Sequence, residues 1–151
     1  MADGVEIFAY LVSINGAVVL IGNPLARRSV ERLGALVSLK TGCVLFVISQ
    51  VGFLGSGDLA GLAISMVVFS IGEILVVPSE YVLVDAIAAS HNRGSYFGAH
   101  SLSMIGSFVG PTLGGAVLQT LGGSAMFILF ALCAAAGAFL YSAGKRMPPP
   151  H

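Results

Sequence analysis

Residues 94–144 contain no Asp, Glu, Lys or Arg, and the run is interrupted near its middle by Leu121-Gly122-Gly123-Ser124. A helix that crosses the hydrocarbon of a bilayer needs roughly 20 apolar residues. The stretch is therefore too long for one crossing and suits two, with glycines at the turn. In lipid, backbone polar groups must bond within the protein, and a buried charge needs a protein partner or water. Those two demands govern the reading of every other segment.

The rest of the chain has the same character. It is 56% hydrophobic and 9% charged with a mean hydropathy of +0.95, whereas a soluble domain carries about 25% charged residues. The formal net charge is +0, so no basic surface argues for nucleic acid as a partner. The start, Met1-Ala2-Asp3-Gly4-Val5-Glu6, is acidic, unlike the basic start of a secretory signal. Cys43 and Cys133 fall in different apolar segments without metal-ligand spacing and read as small apolar filler. No metal site, phosphate loop or nucleophile with an adjacent base is recognisable, so neither an enzyme nor a cofactor is expected.

The pattern predicts an all-α membrane protein with five transmembrane helices, at about 7–26, 35–54, 59–84, 96–121 and 124–143. They form one transmembrane unit over residues 1–146, followed by an extended, disordered tail at 147–151, Met-Pro-Pro-Pro-His. The links Gly55-Ser56-Gly57-Asp58 and Gly122-Gly123 are short enough to join antiparallel neighbours. Arg27, Arg28, Arg32 and Lys40 lie around the first connection, Arg93 lies in the third, and Lys145 and Arg146 follow the last span. All seven basic residues thus share one side, and Asp3, Glu6 and Asp58 share the other. The basic side is predicted to face the cytoplasm of a cell-membrane protein, with the C-terminus inside and the N-terminus outside. An exterior start without a targeting signal leads to the expectation that further membrane sequence precedes it.

The sharpest local pattern is Gly106-Ser107-Phe108-Val109-Gly110-Pro111-Thr112-Leu113-Gly114-Gly115. Gly106, Gly110 and Gly114 recur every four residues and line one helical face, where another helix could approach closely in lipid. Pro111 has no N–H, which frees the carbonyl of Ser107 and favours a bend. The string reads either as a packing face with a kink or as a bending point that moves.

This string resembles the antiporter motif of the major facilitator superfamily, best known from the fifth helix and echoed in some members in the eleventh. The stretch Ile71-Gly72-Glu73-Ile74-Leu75-Val76-Val77-Pro78, followed by Asn92-Arg93-Gly94-Ser95-Tyr96-Phe97-Gly98, is similar to the tenth helix, connection and eleventh-helix start of bacterial drug-efflux members. Asn15 and then Pro24-Leu25-Ala26-Arg27-Arg28 resemble the eighth helix and the basic loop after it, although the Asp-Arg-x-Gly-Arg core of the family's cytoplasmic signature is absent. The resemblance covers roughly residues 7–144 and implies the eighth to twelfth helices of a twelve-helix secondary transporter. It further implies proton-coupled efflux of small apolar molecules. The expected partners are the lipid bilayer, a missing N-terminal half, a small-molecule substrate and protons. The alternative is a non-transporting truncated fragment, or a helper module that packs with other transmembrane helices.

Among ionisable residues Glu73 stands out. It lies fourteen residues beyond Leu59, which at about 1.5 Å per residue is about 21 Å into a core about 30 Å thick. A carboxyl at that depth faces protein or water, or keeps its proton. Glu73 is thus a candidate for proton coupling or substrate contact, against a structural carboxyl bonded to another helix. Asn15 and Gln50, also within spans, either bond to a neighbouring helix or line the path. Glu80 shares the helical face of Glu73 seven residues on, and Asp85 follows it. With Arg27, Arg28, Arg32 and Arg93 these acids form a candidate cytoplasmic charge cluster, against ordinary interfacial charges.

The side assignment is tested with Asp58→Cys and Arg93→Cys in a cysteine-free background. An impermeant maleimide on intact cells should label the first and spare the second; the reverse pattern would invert the topology.

Overall fold

The computed structural model describes residues 4–144, apart from the side chains of residues 25–27. Asp3, Lys145, Arg146, the 147–151 tail and the Arg27 side chain lie outside the described residues. Among the described residues six helices run in chain order: α1 Gly4–Leu33, α2 Ala35–Gly55, α3 Leu59–Ile87, α4 Arg93–Ser101, α5 Ser103–Leu121 and α6 Gly123–Gly144. No strand occurs among the described residues. Five stretches of the described residues are long and apolar enough to cross a membrane: Gly4–Pro24 of α1, then α2, α3, α4 with α5, and α6. The architecture is that of an all-α membrane protein.

Two boundaries differ from the sequence reading. The first span was expected to end at residue 26, yet α1 continues to Leu33 with Pro24 inside it. Proline removes one helical hydrogen bond, and the residues that follow carry no further breaker before Gly34. Val30, only 5% exposed, ties this extension to the bundle. The chain then reverses through Gly34, whose φ of 83° is open to glycine and costly for residues with a Cβ. The fourth span was expected as one helix over 96–121. It starts at Arg93 and is divided at Leu102, not at Pro111, through which α5 continues. At the division the Leu102 N–H donates to the Ala99 carbonyl at 3.1 Å and the Ile105 N–H to the Leu102 carbonyl at 3.0 Å. The chain tightens there into three-residue bonding. Gly122, with φ 85°, makes the turn into α6.

Several hydroxyls inside the spans are satisfied by carbonyls of their own helix. Ser65 donates to the Gly61 carbonyl, Ser70 to Met66 and Thr120 to Ala116, each at 2.8 Å, and Thr112 donates to Phe108 at 2.9 Å. Asp58 caps α3 by accepting from the Gly61 N–H at 2.8 Å. Ser38 and Ser79 depart from this rule. Both are fully buried, and neither hydroxyl has a partner among the described residues.

The bundle is organised around α2. It packs against α3 on one side and α6 on the other; α1 packs mainly on α3, and α5 on α6. Individual contacts give the directions. Gly42 meets Gly72 and Gly52 meets Ser65, so α2 and α3 are antiparallel. Phe53 stacks on Phe127 with centroids 5.4 Å apart, and Gly137 lies against Cys43, so α2 and α6 are antiparallel too. Asn15 reaches Ser70 and Glu73, while Gly22 meets Ile74, so α1 runs parallel to α3. One end of the bundle therefore gathers Arg28, Arg32, Lys40 and Arg93, and the other carries Glu6 and Asp58.

Glycine does the closest packing at the α2–α3 seam. A Cβ on Gly42 would sit 2.8 Å from the Gly72 carbonyl oxygen and overlap Val76; one on Gly72 would sit 3.0 Å from the Gly42 carbonyl oxygen. Phe46 and Phe69 close the seam with centroids 4.9 Å apart. The glycine string of α5 behaves differently. Gly114 lies under Phe130, where a Cβ would approach the ring to 2.5 Å, but Gly106, Gly110 and Gly115 meet nothing among the described residues.

Gly42→Ala should accordingly destabilise the protein by roughly 1–3 kcal/mol, because a backbone carbonyl and a β-branched side chain cannot step aside. Gly110→Ala should leave the stability of this chain unchanged or slightly raised. Thermal unfolding of both variants in detergent micelles reads the difference, and equal midpoints would mean that the seam is not held by that contact.

Candidate functional site

A part-buried polar group within the spans is built by α1 and α3. Ser70 and Glu73 are one turn apart on α3 and so present their side chains to the same side. Asn15, midway along the apolar part of α1, faces both. Its Nδ2 donates to Glu73 Oε2 at 2.8 Å and to Ser70 Oγ at 3.0 Å. Ser70, fully buried, donates its own hydroxyl hydrogen bond to the Met66 carbonyl at 2.8 Å. The donors are thus used in sequence: both amide protons of Asn15 are committed, and the hydroxyl of Ser70 accepts one while donating its own. A carboxylate that accepts from an amide in partly buried surroundings is better satisfied than one in bare hydrocarbon.

The sequence reading named Asn15 and Glu73 separately, and the fold joins them. It missed Ser70, whose signal was its position three residues before an intramembrane carboxyl. Gln50 is not bonded into the group. Its side chain is 7% exposed, and its Oε1 is buried without a partner among the described residues.

The expected charge cluster assembles only in part. Asp85 pairs with Arg93 across the α3–α4 connection, and this is the one ion pair among the described residues. Both partners are more than half exposed, so the pair contributes little stability. Glu80 takes another partner: Tyr141 of α6 donates to its Oε1 at 3.3 Å. Arg28 and Arg32 make no ion pair among the described residues. Arg28 lines a cleft of about 820 Å³ between α1 and α3 with Asn23, Pro24, Val30, Glu31, Pro78 and Val82. That cleft does not include Asn15, Ser70 or Glu73, so the open volume and the intramembrane carboxyl are separate features. His100 of α4 meets the ring of Tyr81 edge-on at 5.0 Å. No group of three or more His, Cys, Asp or Glu side chains suited to a metal ion occurs among the described residues.

Comparison with known proteins agrees with this architecture. Residues 4–151 match the family model described as Major Facilitator Superfamily. The MFS-type transporter YdeE of Escherichia coli (strain K12) is 34% identical over 153 residues, covering 99% of this chain and 39% of its own length. The MFS-type transporter YqjV of Bacillus subtilis (strain 168) is 28% identical over 132 residues, covering 87% of this chain and 32% of its own length. The chain thus spans less than two fifths of the length of these relatives. With five apolar spans, an intramembrane carboxyl bonded between helices, and a family match running from residue 4 to residue 151, the chain belongs to the major facilitator superfamily.

Proposed function

We propose that this chain is the C-terminal part of a secondary active transporter in the cell membrane, corresponding to its eighth to twelfth helices. The transporter exports small apolar molecules in exchange for protons, as a member of the drug-efflux-like branch. The short coverage of the relatives supports a complementary N-terminal half as partner, with the substrate path between the halves. The placement of the basic residues supports a cytoplasmic C-terminus.

The observation that carries this reading is the bond from Asn15 to Glu73. A coupling carboxyl must be tolerated in two protonation states, and an amide serves both. Nδ2 donates to Glu73 Oε2, an arrangement that suits an ionised acid. Rotated about its last torsion, Asn15 would present Oδ1 to accept from the protonated acid. Proton uptake then changes the sense of the α1–α3 bond without breaking the contact. The glycine face of α5, with Gly106 and Gly110 open and Pro111 between Gly110 and Gly114, supports close and shifting contact with helices outside this chain. The alternative of a non-transporting fragment or helper module is supported by the same open face together with the short coverage, and it predicts no transport at all.

Glu73→Gln decides the coupling role in the full transporter reconstituted into vesicles, with ethidium as the transported probe. Gln imitates the protonated acid in shape, so folded yield and ethidium counterflow should persist while movement driven by a pH gradient is abolished. Gradient-driven movement at the unaltered rate would reduce Glu73 to a structural bond. In that case Glu73→Leu, which leaves one N–H of Asn15 without its acceptor, should lower stability by about 1–3 kcal/mol.

A further inference from the structure

We infer that Glu80, held by Tyr141, is the second station of a proton route, relaying protons between the Glu73 carboxyl and the cytoplasmic water; this rests on the coupling role proposed for Glu73.

Glu73 and Glu80 are seven residues apart on α3, so they share a face and are separated by about 10 Å along the helix axis. Glu73 is engaged from one side by α1 and Glu80 from another by α6. Both are partly exposed, while the α3 side chains turned to α2, such as Ser79, are fully buried. The two acids therefore stand one above the other beside the tightly packed seam, not within it.

The partner of Glu80 is what distinguishes it. Asp85, further out on α3, is paired with the guanidinium of Arg93. Glu80 instead accepts one long bond, 3.3 Å, from a neutral phenol. Such a donor positions the carboxylate without the Coulombic attraction that would oppose its protonation. The groups around it are few. Cys43 of α2 lies close enough to interact with both Glu80 and Tyr141, Lys40 is one turn before Cys43, and Arg28 and Glu31 of α1 line the cleft beside Pro78 and Val82. No ion pair joins any of these to Glu80 among the described residues.

The transfer balances simply. The O–H bond of protonated Glu73 breaks, the proton passes through intervening water to the Glu80 carboxylate, and Glu80 then releases it to cytoplasmic water. Glu73 is left ionised and bonded to Asn15, and no oxidant or reductant is involved.

The test uses the full transporter in vesicles, with ethidium counterflow as the passive reference and pyranine to time proton release on the cytoplasmic side. Glu80→Gln keeps an acceptor for Tyr141 but cannot carry a proton. It should slow proton release relative to counterflow by about a hundredfold, the lower end of what a positioned proton-transfer group contributes. Release at the unaltered rate would overturn the relay. If the Gln variant does not accumulate, Glu80→Asp is read instead: release near the unaltered rate supports the relay, and a loss as large as that expected for Gln overturns it. Glu73→Gln in parallel separates the two readings. Coupling lost in Glu73→Gln but normal in Glu80→Gln removes the relay alone, and coupling retained in Glu73→Gln removes the reading on which the relay stands.

Discussion

Gly42 and Gly72 let the backbones of α2 and α3 meet, and the order of the remaining helices follows from that contact. In lipid, apolar side chains gain little by touching one another instead of acyl chains, so helices associate through close packing and internal hydrogen bonds. A glycine on each side leaves no room for a Cβ, which would come to 2.8 or 3.0 Å from the other helix's carbonyl oxygen. With α2 pressed on α3 along this line, its opposite side is free for α6, where Phe53 stacks on Phe127 and Cys43 lies over Gly137. The outer helices α1 and α5 each hold to the bundle chiefly through one neighbour, α3 and α6 respectively.

That arrangement has a consequence for chemistry. The α2–α3 seam is so close that polar groups caught in it, the hydroxyls of Ser38 and Ser79, are sealed from solvent. Ionisable groups are kept out of it. Glu73 turns toward α1 and Glu80 toward α6, and each meets a neutral donor, an amide in one case and a phenol in the other. Neutral donors steady a carboxylate without placing an opposite charge beside it, unlike the guanidinium that pairs with Asp85. The division between a rigid seam and a flank of protonatable groups suits a protein whose carboxyls must change state while its helices keep their packing.

The glycine string in α5 shows where spacing alone misleads. Its four-residue period marks a face without saying what occupies it. Among the described residues only Gly114 of the string is covered, while the pair that brings backbones together, Gly42 and Gly72, belongs to no such period. Close approach depends on which residues of two helices fall at the same height, and that register is a property of the assembled bundle. The charge cluster has the same lesson. Glu80 is near the arginines in depth, but depth is one coordinate of three, and rotation of α3 directs it to Tyr141.

The sequence by itself determined that this chain is helical, that it crosses a membrane five times and that glycines make its tight turns, because those properties depend on local length, hydropathy and backbone freedom. It also named Asn15 and Glu73, since a polar side chain in a long apolar run stands out wherever it points. Only the tertiary structure decided that these two meet across α1 and α3, that Ser70 completes their bonding, that Glu80 goes to Tyr141, and that α1 runs past the apolar stretch as far as Leu33. Pairing between helices depends on register and rotation, which many sequence-compatible arrangements share until the Gly42–Gly72 contact and the bonds beside it select one.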